Sequence, residues 1–304
     1  MSDTGGFPLV GGSPAFPGKN NVVRDSSSSN SFGWENLNVG NLSVVGGYRN
    51  RASVNYSYLF GASNIGSGLF TFAFGGSNTS SGGYASSFGF GNLSSGLASF
   101  SCGQGHTASG NYSFVAGLSN TVANTGSAAF GTENTVTGSA AYAIVFGRKA
   151  TASRYGEVAH GINAGTNAQH QHGWLGFANQ STSATPVVLY LDGAGGSQNA
   201  VLAAGARWNC TLKIQACTTG AIDKDGSWEY AFTICRPTTA ATTIIRTTPL
   251  MVRSDGSNAG APPAGWSVAI TADTTNGCLQ IQVTGDTDTI NWTAALHYVQ
   301  SIRV

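Results

Sequence analysis

The sequence predicts an all-β protein. A parallel solenoid of 14-residue coils over residues 31–161 is followed by an antiparallel β-sandwich, jelly-roll-like, over residues 185–304. Three observations predict this. Glycine recurs every 14 residues, at Gly33, Gly47, Gly61, Gly75, Gly89, Gly103, Gly117 and Gly131. Three residues after each glycine stand Asn36, Asn50, Asn64, Asn78, Asn92, His106, Asn120 and Asn134. Beyond residue 185, alternating apolar runs separated by turn clusters replace the repeat.

The chain begins with residues 1–30, which hold Pro8, Pro14, Pro17 and a serine run at Ser26–Ser29. The prolines exclude regular structure, leaving an extended arm or a disordered tail.

In the repeat, glycine also recurs seven residues on, at Gly40, Gly68, Gly82, Gly96, Gly110 and Gly138. Two glycines seven apart mark two corners, where positive φ or close backbone approach is required. Between them, stretches such as Tyr58–Leu59–Phe60 read as brief strands. Phenylalanine often precedes the first glycine, as Phe32, Phe60, Phe74, Phe88 and Phe130. Asparagine at one height in every coil predicts a side-chain amide ladder. Gly, Asn and Ser at fixed positions exclude a helical repeat, and a flexible Gly/Ser linker would keep no register. After Gly131 the register slips by two to Gly147, then resumes at Gly161. At about 4.8 Å per coil, the stack predicts a rod of about 40 Å.

A coil this thin buries its apolar face only by stacking. From Ala52 to Thr132 there is no Asp, Glu, Lys or Arg. Such a surface is a poor one for a monomer in water, and a homotrimer resolves it.

Residues 162–184 read as a neck. The distal strands are expected at Val187–Leu191, Ala200–Ala204, Cys210–Ala216, Trp228–Cys235, Thr242–Arg246, Trp266–Thr271, Leu279–Thr284 and Ile290–Val304.

The formal net charge is +1 and 9% of residues are charged, so no basic face is available for nucleic acid. No apolar run approaches the ~18 residues of a membrane span. The first residues show no basic and apolar signal pattern, an expectation of cytoplasmic synthesis. The five cysteines form no CxxC pair and read as reduced small hydrophobes.

The segments Ala128–Ser139 (AAFGTENTVTGS) and Phe74–Gly82 (FGGSNTSSG) resemble the head repeats of YadA-type trimeric autotransporter adhesins. The resemblance covers about residues 31–161 and implies a left-handed parallel β-roll in a homotrimer. Adhesin repeats favour isoleucine before the glycine, where this chain favours phenylalanine. Neither a coiled-coil stalk nor a membrane-anchor pattern is legible. The same roll occurs in bacteriophage tail fibres and head fibres, and Trp292–Val304 resembles the closing strand of phage tail-fibre domains.

The resemblance implies a virion protein on the tail or capsid surface. Residues 1–30 would attach to other virion structural proteins, residues 31–161 form a shaft, and residues 185–304 bind a host surface glycan or protein. A tail fibre leads. A capsid-attached head fibre or decoration protein, and a polysaccharide-degrading tailspike, are the alternatives.

His170–Gln171–His172 is the candidate metal motif. On an extended segment both imidazoles point to one side. Three copies around an axis would offer six nitrogens to an octahedral transition metal; phage fibres use HxH in this way. A polar neck loop, or stacked histidines without metal, is the alternative. His106 reads as a neutral ladder member and His160 as structural. Asp223, Asp225, Glu229, Asp255, Asp273, Asp286 and Asp288 lie mostly beside turn residues. Turn formation explains them better than a catalytic carboxylate pair, so no enzyme activity is expected. Receptor-binding candidates are Trp228 and, in the 254–266 loop, Asp255, Asn258 and Trp266. Trp228 reads equally well as core.

Overall fold

The computed structural model describes residues 20–23, 29–162, 170–219, 224–256 and 261–302. They form an all-β chain of two compact units, residues 1–136 and 137–304. Among the described residues there is no α-helix.

The first unit is a parallel β-solenoid. Each coil contributes a five-residue strand and a two-residue strand, as in Tyr58–Ala62 and Ile65–Gly66. Successive coils pair 14 residues apart, with Leu59 beside Ala73 and Gly61 beside Gly75. The long strands stack from Asn30–Trp34 to Ala128–Thr132, and the short ones from Val22–Val23 to Thr135–Val136. Val22 pairs with Leu37, a step of 15 residues rather than 14.

The two glycine columns act differently. Gly75 has φ +111°, and a Cβ on it would press against the Gly89 carbonyl oxygen of the next coil. In the column seven residues on, Gly40, Gly68, Gly82, Gly96 and Gly110 have no positive φ, and Gly138 departs from them at φ +67°. A Cβ on Gly82 would instead meet the Gly96 carbonyl, so glycine is required there for close approach. Other left-handed corner positions are held largely by residues with side chains, among them Ser63, Ser77, Tyr56, Phe70 and Tyr84. Each disfavoured conformation costs about 1–2 kcal/mol. Hydrogen bonds to the preceding coil fix them, as Tyr56 N–H to Asn41 O at 2.9 Å and Tyr84 N–H to Leu69 O at 2.7 Å.

Inside the coils, Val45, Ala52, Leu59 and Ala73 form an apolar core. In the next coils the interior turns polar, before Ala108, Val115, Val122 and Ala129 make it apolar again. Ser80, Ser87, Ser94 and Ser101 link hydroxyl to hydroxyl at 3.0, 2.9 and 2.7 Å. Outside, aromatic rings stack in a spine of Phe60, Phe74, Phe88, Phe100, Phe114 and Phe130. Cys102 and Ala116 occupy the slot before the glycine in two coils, and there Phe100 and Phe114, two residues earlier, carry the spine. Phe72, Phe90, Phe114, Leu118 and Phe130 leave much of this outer face apolar and exposed, Phe90 by 58%.

The second unit starts with coil strands Ile144–Arg148 and Val158–Ile162. The strand His170–Ser181 pairs antiparallel with Val158–Ile162. Residues 162–184, expected as a neck, therefore contain a full sheet strand. Gln171, Gly173, Leu175 and Phe177 alternate inward along it. The sheet continues through Ile290–Ile302, Ala206–Thr218, Asp225–Cys235 and Ile244–Gly256. Its edge strand Ile244–Gly256 holds Pro249 and irregular register, features an edge position tolerates. A second antiparallel sheet centres on Cys278–Thr284, flanked by Ser267–Asp273 and by the short strands Val187–Val188 and Ala200–Val201. One core lies between the sheets, with Trp208, Leu212, Trp292 and Leu296 from the first and Leu279, Ile281 and Val283 from the second.

A buried charged network underlies this core. The Arg154 guanidinium donates to Glu157 at 2.7 Å, to the Val201 carbonyl at 2.6 Å, and lies 4.4 Å from the Trp208 ring centroid. The Tyr298 hydroxyl donates to Glu157. Gln171 closes the last coil by donating to and accepting from the Thr151 backbone.

Candidate functional site

The ladder residues meet as the sequence predicts. Asn64 Nδ2 donates to Asn50 Oδ1 at 3.0 Å, to Phe60 O at 3.0 Å and to Gly75 O at 2.9 Å. Its Oδ1 accepts from Asn78 N–H and Nδ2 at 3.0 and 3.1 Å. Asn36, Asn50, Asn78, Asn92, Asn120 and Asn134 join the same column. The column starts one coil earlier than expected, because Asn21 Oδ1 accepts from Asn36 N–H. His106 reproduces the asparagine pattern. Its Nδ1 accepts from Asn120 N–H at 3.1 Å, which places the ring proton on Nε2 for donation to Cys102 O at 3.0 Å. Burial lowers its pKa, favouring the neutral ring. The ladder is structural.

The surface sites lie on the second unit, on the outer face of its larger sheet. Side chains alternate along each strand, so the register places residues in rows across it. His170, Ser301, Arg207 and Cys235 form one row. His160, His172, Val299 and Asn209 form the next. His297 and Trp174 lie opposite each other one row further, their rings stacked 5.2 Å apart.

The HxH pair thus sits on a strand, with both imidazoles on its outer side. Yet the partner of His172 is His160, whose Nδ1 lies 2.8 Å from His172 Nε2. Burial lowers the His172 pKa, and the nearby His160 and His297 add to the shift. Among the described residues no group of three or more His, Cys, Asp or Glu is placed to hold a metal. A metal at His170 and His172 would need ligands from further copies of the chain.

Trp228 and Trp266 are 6% exposed and pack on Trp292, with centroids at 5.6 and 5.5 Å. Their faces are spent on the core, not open to a sugar ring. Alternation explains this: Trp228 shares a face with Phe232 and Ile234, which are also buried. Asp255 is half-buried. The Arg253 guanidinium, donating at 2.8 Å, and the Gly256 N–H hold its carboxyl below the usual range. Asn258 lies outside the described residues, as does Asp223.

Other acids are occupied structurally. Asp273 accepts from the backbone of Thr275 and Asn276. Asp286 and Asp288 grip Lys224 at 3.0 and 2.6 Å. The five cysteines are free thiols.

Two cavities open on this domain. One, of about 430 Å³, is lined by Lys213, Gln215, Ser227, Glu229, Arg253 and Thr293. Its cations already face acids, Lys213 to Glu229 at 4.0 Å and Arg253 to Asp255 at 2.8 Å. The other, of about 590 Å³, is lined by Arg207, Cys235, Thr238, Arg246 and Ser301. Neither arginine there forms an ion pair among the described residues. Both volumes lie within the usual range of small-molecule sites. Sequence reading missed both, because the strand pairing that assembles them joins residues about eighty to ninety positions apart.

No protein-family model matches the chain, and no curated protein matches it. Among solved structures, a similar one is the tailspike protein of the Acinetobacter phage vB_ApiP_P1. The match has a TM-score of 0.27 and 9% identity, and covers 91% of this chain and 56% of that one. The chain thus spans about half the length of that protein.

Proposed function

We propose that this chain is a structural fibre protein of a bacteriophage virion, a tail fibre that assembles as a homotrimer and attaches the particle to its host. The apolar outer face of the solenoid carries this reading. Phe72, Phe90, Phe114, Leu118 and Phe130 line it, in a stretch without a charged side chain from Ala52 to Thr132. Contiguous exposed apolar surface of this kind marks an association surface. Three copies arranged about an axis would cover it. The two-sheet distal domain then supplies the adhesive surface for a host glycan.

Binding, not cleavage, is supported by the acids, which stabilise turns or pair with cations. The trimer is tested by light scattering on the purified chain. The expected mass is three times the 31.0 kDa of one chain, and a monodisperse monomer would overturn the reading. Incubation with host surface polysaccharide is expected to leave its chain length unchanged while the protein binds it.

A further inference from the structure

We propose that Arg207 and Arg246 form a subsite for the negatively charged group of an acidic surface saccharide. The inference rests on the reading of the distal domain as adhesive, and adds the place and the charge of the ligand.

The argument is one of charge balance. The two cavities have comparable size and similar sheet floors, but their cations differ in what they face. Lys213 and Arg253 meet Glu229 and Asp255, so the first cavity is neutral as it stands. Arg207 and Arg246 are both exposed and flank Cys235. Arg207 is its cross-strand neighbour, and Arg246 Nε donates to its sulfur at 3.1 Å. That bond steadies the Arg246 side chain without neutralising it. Among the described residues no carboxylate pairs with either arginine. The row of Arg207 continues through Ser301 to His170, and the next row holds His160 and His172, so among the described residues these rows carry a cation and imidazoles and no acid.

Guanidinium groups bind carboxylate and phosphate oxygens through paired N–H donors, better than an ammonium does. The Thr238 and Ser301 hydroxyls in the same wall can donate to or accept from sugar hydroxyls. A saccharide with a uronate carboxylate or a phosphate substituent fits this set. A neutral sugar would leave both guanidiniums without an anion.

The test uses the full chain and three probes: an oligogalacturonate, a phosphomannan oligosaccharide and a neutral maltooligosaccharide. Titration calorimetry at two salt concentrations reads the affinity. At least one anionic probe should bind about tenfold or more tightly than the neutral one, and weaken as salt rises. The carboxylate and phosphate arms show which oxyanion is preferred. The double variant Arg207→Gln/Arg246→Gln should lose that affinity about tenfold or more, with unchanged mass and thermal unfolding, while Lys213→Gln should keep it. Equal affinity for the neutral probe, no binding of either anionic probe, or full affinity in the double variant would overturn the subsite. Adhesion to host cells separates the two ideas. Wild type and double variant adhering equally would leave the fibre reading standing and remove the subsite. Failure of the wild type to adhere would remove the adhesive reading itself.

Discussion

Replacing Asn64 by alanine tests the ladder at its centre. The Asn64 side chain makes five hydrogen bonds, and its loss leaves three backbone groups without this partner: the buried Asn78 N–H and the part-buried Phe60 and Gly75 carbonyls. The Asn78 side chain keeps its bonds to Phe74 O and Gly89 O, and Asn50 Oδ1 keeps the Asn64 N–H. At about 1–3 kcal/mol for each orphaned group, the penalty is about 3–9 kcal/mol, less what relaxation and entering water return. Amide hydrogen exchange reads this locally. The lower bound corresponds to faster exchange by about a hundredfold in the coils around residues 60–78. The exposed Ser67→Ala in the same coil should stay within about 0.5 kcal/mol. An Asn64→Ala shaft that exchanges less than about tenfold faster would refute the reasoning, because the ladder would then contribute no more than an ordinary surface bond.

Other outcomes follow from the same geometry. Gly75→Ala must place a methyl against the Gly89 carbonyl and should expose the shaft to protease, whereas Gly91→Ala, with nothing within 4 Å, bears only a backbone penalty of about 1–2 kcal/mol. The lowered His106 pKa means the folded chain resists a proton that the unfolded chain takes up near 6.5, so His106 gives its full stability above that pH and loses it as the pH falls below. The thermal midpoint should therefore drop on acidification, and His106→Asn should remove part of that drop. Glu157→Gln leaves Arg154 buried beside a neutral partner and should cost about 3–5 kcal/mol in chemical unfolding. Arg154→Met/Glu157→Leu together should recover more than half of it.

The solenoid was legible because its constraints repeat. One glycine carbonyl contact and one ladder bond, from asparagine in all but the His106 coil, recur from Gly33 to Asn134, so sequence columns report them directly. Three features escaped for a physical reason. The corners at Tyr56, Phe70 and Tyr84 are set by hydrogen bonds from the neighbouring coil, which override the preference for glycine. Asn21 enters the ladder across a 15-residue step and falls outside a strict count. Gln171 caps the Thr151 backbone, which a further coil would otherwise pair, from a strand running the other way. In the second unit, eight runs read as strands in the sequence, but the sequence does not fix all their inward faces. Trp228 and Trp266 show this, as large aromatic residues that suit a core and a sugar site equally well until pairing fixes the face. Arg154 and Glu157 do stand out in the sequence, as charges in a coil repeat that elsewhere largely excludes them.

The 14-residue register also makes the shaft a ruler. Between Gly61 and Gly117 each long strand meets its neighbours through the same glycine, a ladder residue (asparagine, or His106 in one coil) and a ring within reach of the next. A whole coil could be inserted or deleted between Gly61 and Gly117 with each remaining contact re-formed, changing the length by one strand spacing of about 4.8 Å. A change of seven residues would set a close-approach glycine against a φ-positive one and fail. Length in this molecule is therefore quantised, and related shafts should differ by whole coils, with odd steps such as those before Leu37 and Gly147 confined to the ends.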